Sequence, residues 1–294
     1  MSLFFGGRPV LSGFATFCLF KNRNMSPHSR RNPLNHRLTP LVFIPTAPVA
    51  PAGQKRPLSD PQALLYAAQS IVAISGGKQI LDVTLSGRVT WTVGREREMG
   101  TVTLWALSNG ESRVDLALSS GNRKEIRDSS TKTGRETWRN PTGGTELSSP
   151  HNCLTDPVWF FPALGSLSAR PNVVLSYVGR ETRNGSTLQH IRSYVYMPSL
   201  STLSSAIQQL SRMDFYLDCA THLPVATVCN THPDNAAESN VAVEIDFGNY
   251  QQIDGVQVPM NIQRFVQGAL LADISLDTAS FNTGLSSSMF AIDE

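Results

Sequence analysis

Residues 241–290 read VAVEIDFGNYQQIDGVQVPMNIQRFVQGALLADISLDTASFNTGLSSSMF, and the rhythm of this stretch decides the fold class. In its first seven residues Val241, Val243, Ile245 and Phe247 alternate with Ala242, Glu244 and Asp246, the period of two that leaves one face of a strand dry and the other wet. Asp254-Gly255 supplies a turn whose glycine tolerates positive φ, and Val256, Val258, Met260 and Ile262 carry the chain back with the same alternation. Gln267-Gly268 turns it again, and Leu270 to Thr278 makes a third strand. Strands joined in sequence by hairpins form an antiparallel meander, which can pack one face on protein and leave the other free.

The preceding chain repeats this grammar. From Asp82 the residues Val83, Leu85, Val89, Trp91 and Val93 share one face, with Gly87 at a bend or bulge, and Arg95 to Glu98 are expected as a solvated loop. Thr101 to Leu107, Ser112 to Ser119, Arg123 to Asp128 and Thr133 to Trp138 follow as short strands, turned at Asn109-Gly110 and Gly121-Asn122. Pro141 to Pro150 reads as a loop. Later, Asn172 to Arg183 and Thr187 to Met197 pair across Asn184-Gly185, Met213 to Asp218 is a strand, and Leu223 to Cys229 returns after a turn at Thr221-His222.

About eleven strands are expected, with three helices among them. Ser59-Asp60-Pro61 is a helix start, and Leu64, Leu65, Ala68, Ile71 and Val72 recur at helical spacing until Gly76-Gly77 stops them. Ser201 to Leu210 is a second, short helix. The third is expected where Thr155-Asp156-Pro157 opens VWFFPALGSLSA, a segment so apolar on all sides that it either plugs a concave sheet or covers a ligand as a lid.

Charge is unevenly placed. Of the 25 Lys and Arg, eight fall in residues 1–56, which hold no Asp or Glu, leaving 17 against 23 acidic residues in the remainder. A mildly acidic body argues against nucleic acid as a partner, since binders of nucleic acid carry a basic stripe on the folded domain. The leader itself, with Arg30, Arg31 and Arg37, an apolar run from Leu38 and small residues at Ala47-Pro-Val-Ala50, reads as an export signal. The body, residues 57–294, has no apolar run of the roughly 18 residues that a spanning helix needs.

Signals for chemistry are weak. Cys219-x-x-His222 and Cys229-x-x-His232 offer zinc-ligand types, but a turn at Thr221-His222 puts Cys229 about 16 Å from the residue opposite Cys219, at about 3.3 Å per strand residue. That distance also exceeds the reach of a disulfide. Cys153 is expected as a small apolar filler, and His151 and His190 as surface residues. Arg135, Glu136, Trp138 and Arg139 read as a solvated strand end, with an acidic head group as the other use for them. No nucleophile elbow, phosphate-binding loop or HExxH helix is present in the sequence, so neither an enzyme, a metal nor a cofactor is expected.

The element order, the FYLDCATHLPVATV hairpin, Tyr250 followed by Asp254-Gly255 and Val258-Pro259, and the closing Asn282-Thr-Gly-Leu285 before Phe290 together resemble the periplasmic outer-membrane lipoprotein carrier superfamily, which includes carriers of the LolA type and receptors of the LolB type. The resemblance covers roughly residues 59 to 290. It implies an α+β fold in which a strongly curved, unclosed antiparallel β half-barrel has helices capping its concave face, around an apolar cavity that takes acyl chains.

On that view the dry strand faces supply Leu85, Trp91, Leu104, Leu116, Phe215, Leu217, Ile245 and Phe247 as cavity lining, and Trp159, Phe160 and Phe161 form the lid. An acyl chain of about 14 methylenes, at about 0.8 kcal/mol each, demands about 11 kcal/mol of burial from its carrier. The expected function is an exported, non-catalytic protein sheltering an acyl chain, lipid or lipoprotein, with outer-membrane lipoprotein sorting as its candidate role. The alternative is an envelope structural or sensory protein of the same fold, with a filled core and a protein partner.

Overall fold

The computed structural model describes residues 56–128, 135–139, 145–155, 158–165, 167 and 170–292. The expected leader therefore lies outside the described residues, apart from Arg56.

The first helix, α1, runs Pro61–Ser75. It starts where Asp60 accepts a hydrogen bond from the Gln62 amide and Pro61 fits the first turn; it ends at Gly76, whose left-handed φ of 61° no branched residue would share cheaply. Its buried face differs from the expected stripe. Ala63, Ala67, Ser70 and Ile74 point inward, whereas Leu64, Leu65 and Val72 are exposed. Small side chains let the helix lie close on the sheet, and close approach outweighs the larger hydrophobes on the adjoining face.

Among the described residues thirteen strands form one antiparallel sheet. In chain order they are β1 (Asp82–Val93), β2 (Glu96–Leu107), β3 (Ser112–Leu118), β4 (Gly121–Asp128), β5 (Arg135–Arg139), β6 (Thr145–Leu147), β7 (Val173–Arg183), β8 (Ser186–Val195), β9 (Met213–Asp218), β10 (Pro224–Thr231), β11 (Val241–Ile253), β12 (Val256–Val266) and β13 (Ala269–Phe281). Helix α2 is Ser204–Leu210. The first meander walks outward from β1 to β6, the second walks inward from β7 to β13, and β13 pairs with β1 to join them. The edges β6 and β7 stay apart, so the sheet is unclosed.

Two expectations about loops are corrected. Glu96 to Glu98 belong to β2, because Gly94 turns the chain at once and Glu96 pairs with Val93. Thr145–Leu147, placed in a loop, is the edge strand β6. The turns Asn184-Gly185, Asp254-Gly255 and Gln267-Gly268 have φ near +50° then +80°, the mirror-image geometry that matches strand twist.

Gly87 marks a register shift in the pairing of β1 with β13, and a Cβ there would stand 2.2 Å from the Ser275 carbonyl oxygen. Motif residues of the carrier resemblance have structural tasks of their own. Asn282 accepts from the Leu81 amide and donates to Gln79; the Asp82 carboxylate accepts from the amides of Thr283 and Gly284; the Tyr250 hydroxyl donates to the Pro224 carbonyl. No helix among the described residues is long and apolar enough to cross a membrane.

Candidate functional site

Curvature brings distant strands together. Glu125 on β4 and Arg264 on β12 are five strands apart in the sheet order, about 24 Å if it were flat, yet Arg264 Nη1 lies 3.2 Å from Glu125 Oε2. The contact spans the concave side, across the space that the inner face of the sheet encloses.

That space holds side chains. Leu85, Leu104, Leu116, Ile245 and Phe247 line it from the strands, Trp91 packs at its margin, and Trp159, Phe160 and Phe161 enter it from the connection between β6 and β7. Phe215 and Leu217 belong to a second cluster, beneath α1 with Ala63, Ala67 and Ile191. The eleven sequence-predicted residues are therefore all on the inner face, divided between two clusters. Phe160 and Phe161 are 0% exposed.

The aromatic segment is not the helix expected of it. Asp156 and Pro157 lie outside the described residues; Val158 to Phe161 is a turn, and only Pro162–Leu164 makes a single 3-10 turn. Pro162 disfavours helical backbone at the preceding residue, and Phe161 accordingly takes φ −143° and ψ 83°. Freed from helical spacing, Trp159, Phe160 and Phe161 can all face the sheet. Arg170 ties the far end by donating to the Leu164 carbonyl at 2.6 Å.

At the rim, Trp159 Nε1 donates to Glu125 Oε1 at 3.0 Å and the Arg264 guanidinium lies 5.0 Å from the Trp159 ring centre. One carboxylate thus clasps β4, β12 and the aromatic segment. Sequence reasoning passed over this clasp, although Arg123, Glu125 and Arg127 put a charge at every second position of β4. Charge with a period of two, on a strand whose neighbours are dry on that face, is the available signal.

The outer face of β7 to β11 carries a separate polar network. His190, expected at the surface, is 3% exposed: its Nδ1 lies 2.5 Å from Glu181, its Nε2 2.7 Å from Asp214, and its ring stacks on Tyr216. Arg192 and Arg212 both donate to Asp214. Burial would raise the Asp214 pKa, but the His190 and Arg192 hydrogen bonds and the two guanidinium charges hold it down to about 2. Such a carboxylate is an acceptor in a structural network and a poor base. Cys219 and Cys229 are joined in no disulfide, and Cys153 is buried.

No family model matches the sequence, and no curated protein does. Solved structures do. A protein domain assigned to outer-membrane lipoprotein sorting in Vibrio parahaemolyticus aligns with 12% identity over 78% of this chain and 96% of that one, with a TM-score of 0.49. A DUF1329 family protein of Desulfovibrio piger aligns with 10% identity over 78% and 96%, TM-score 0.48. A LolA superfamily protein of Nitrosomonas europaea aligns with 9% identity over 78% and 97%, TM-score 0.47. These alignments assign neither a family nor a role, and function has to be argued from this chain's own geometry.

Proposed function

We propose that residues 57–294 form an exported, non-catalytic lipid-binding domain, preceded by a leader that directs export, and that the described conformation is its closed state, with the aromatic segment seated in the hollow. The observation that carries this reading is that the concave face of one unclosed sheet is filled by a segment that belongs to none of its strands. Five buried side chains of that segment, Val158, Trp159, Phe160, Phe161 and Leu164, are worth about 1.5–3 kcal/mol each, or about 7–15 kcal/mol together. An acyl chain of about 14 methylenes gains about 11 kcal/mol from the same burial. The exchange is close to balanced, as a carrier that must both load and unload requires, and the rim clasp adds the last increment toward closure.

A second reading rests on the complete burial of Phe160 and Phe161: the segment is permanent core, and the protein acts on an envelope partner through its surface. Delipidated, refolded protein titrated with a fluorescent fatty acid separates the two. Saturable protection of the probe from water, strengthened when Trp159→Asp loosens the segment, supports carriage. Absence of binding, together with a loss of several kcal/mol of stability in Trp159→Asp, ends it in favour of the filled core.

A further inference from the structure

The clasp that closes the rim is built from more than it needs for closure. Arg123 and Glu125 share one face of β4, and Trp91 on β1 and Arg264 on β12 flank Ala272 of β13 on the facing strands. The Arg123 guanidinium lies 5.2 Å from the Trp91 ring centre, a second guanidinium-indole stack beside that of Arg264 on Trp159. Buried polar atoms in folded proteins are rarely left without partners. Here the indole N–H of Trp91 and Nε of Arg123 are both buried and have none.

Glu125, two residues along β4 from Arg123, accepts from the Trp159 indole nitrogen at 3.0 Å and from the Arg264 guanidinium at 3.2 Å. Glu98 also faces Arg123, but its carboxylate is exposed and engaged by Ser119 and Ser120 at 3.3 and 3.0 Å. The side chains of Glu125 and Arg264 are 27% and 25% exposed, so the group opens to water on one side while the apolar interior lies on the other. A polar cluster at the mouth of a greasy space, donor-rich and with an internal carboxylate in the acceptor's place, is what an amphiphile's head requires when its chain lies within.

We infer that this rim is the head-group site for an anionic lipid, whose carboxylate or phosphate monoester displaces Glu125 from Arg264 and takes up the unpartnered donors of Trp91 and Arg123. The inference rests on the acyl-chain reading above and narrows it. Guanidinium groups pair with carboxylate and phosphate in a two-pronged geometry that a neutral head cannot supply. Free anionic lipids are therefore selected over chains attached to neutral heads, such as an acylated protein terminus.

The test uses the delipidated full chain, displacing a fluorescent fatty acid with palmitate, with methyl palmitate and with palmitoyl lysophosphatidic acid. Palmitate or the lysophosphatidic acid should bind at least about tenfold tighter than the ester, and the tighter of the two identifies the head. Arg264→Gln and Arg123→Gln should each remove most of that acid-over-ester ratio, whatever loosening the clasp does to both ligands alike, Arg264→Lys should restore part of it, and Glu125→Gln should widen the ratio several-fold by removing the internal competitor of the anionic head. Ester binding as tight as acid, or Arg264→Gln and Arg123→Gln weakening acid and ester alike, overturns the head-group site and leaves the acyl-chain reading standing. If none of the three ligands binds, the acyl-chain reading itself falls, and this inference with it. Thermal unfolding of each variant shows which remain folded, and the Arg123 and Glu125 variants carry the test if Arg264→Gln does not.

Discussion

Asp214 and Asp246 occupy the same outer face of the sheet, and burial has opposite results for them. At Asp214 the hydrogen bonds from His190 and Arg192 more than offset burial, and the pKa falls to about 2. At Asp246 burial acts with the neighbouring charge of Glu244, only partly opposed by Arg183, and the pKa rises to about 6. Asp214 thus contributes stability at any pH above the ordinary carboxylate value, lost as pH falls through about 2. The contribution of Asp246 runs the other way: it is present below about pH 4 and lost as pH rises through about 6. Asp246→Asn should therefore stabilise the protein at pH 8, by about 1 kcal/mol once the full shift is discounted for its partial exposure, and by nearly nothing at pH 4. Urea unfolding at the two pH values measures the difference; an equal effect at both would show that charge at Asp246 is not the cause. None of this was legible in the sequence. The partners of His190 sit nine residues before it and 24 after it, and only strand pairing brings Glu181 and Asp214 to either side of one ring.

At the scale of the element the sequence was far more readable. The alternations in 82–93, 241–253 and 256–266 became β1, β11 and β12, and the three Asn-Gly, Asp-Gly and Gln-Gly pairs became the turns between strands. Gly87 marks a bend or bulge in a long strand already in the sequence, and the structure supplies the reason: backbone of β13 occupies the place of a side chain. Gly87→Val should cost about 3 kcal/mol or prevent folding, read as a fall in urea midpoint, because the 2.2 Å approach to the Ser275 oxygen can be relieved only by moving two strands. A change within error would mean that β1 and β13 pair more loosely there. Two elements were misread for local reasons. The aromatic segment has helical composition, but Pro162 breaks it; α1 has its large hydrophobes on one stripe, yet the sheet takes the alanine side because close packing needs small residues.

For the whole molecule the decisive quantity is curvature, and the Glu125–Arg264 pair reports it. If that pair holds β4 and β12 together across the mouth, a double-mutant cycle of Glu125→Gln and Arg264→Gln in thermal or urea unfolding should show a coupling of about 0.5–1 kcal/mol, typical for a partly exposed pair with good geometry. Zero coupling would mean the two rims stand independently.

The amino-acid sequence by itself determined the period of the strands, the places where they turn, the capped start of α1, and which residues lie on the dry face, because each of these depends on contacts within a few residues along the chain. The tertiary structure alone decided how strongly the sheet bends, that the aromatic segment fills its hollow, which side of α1 faces inward, and that Glu125, Trp159 and Arg264 meet. Those outcomes depend on strands that are neighbours in space and far apart in sequence, and no local pattern records the distance between them.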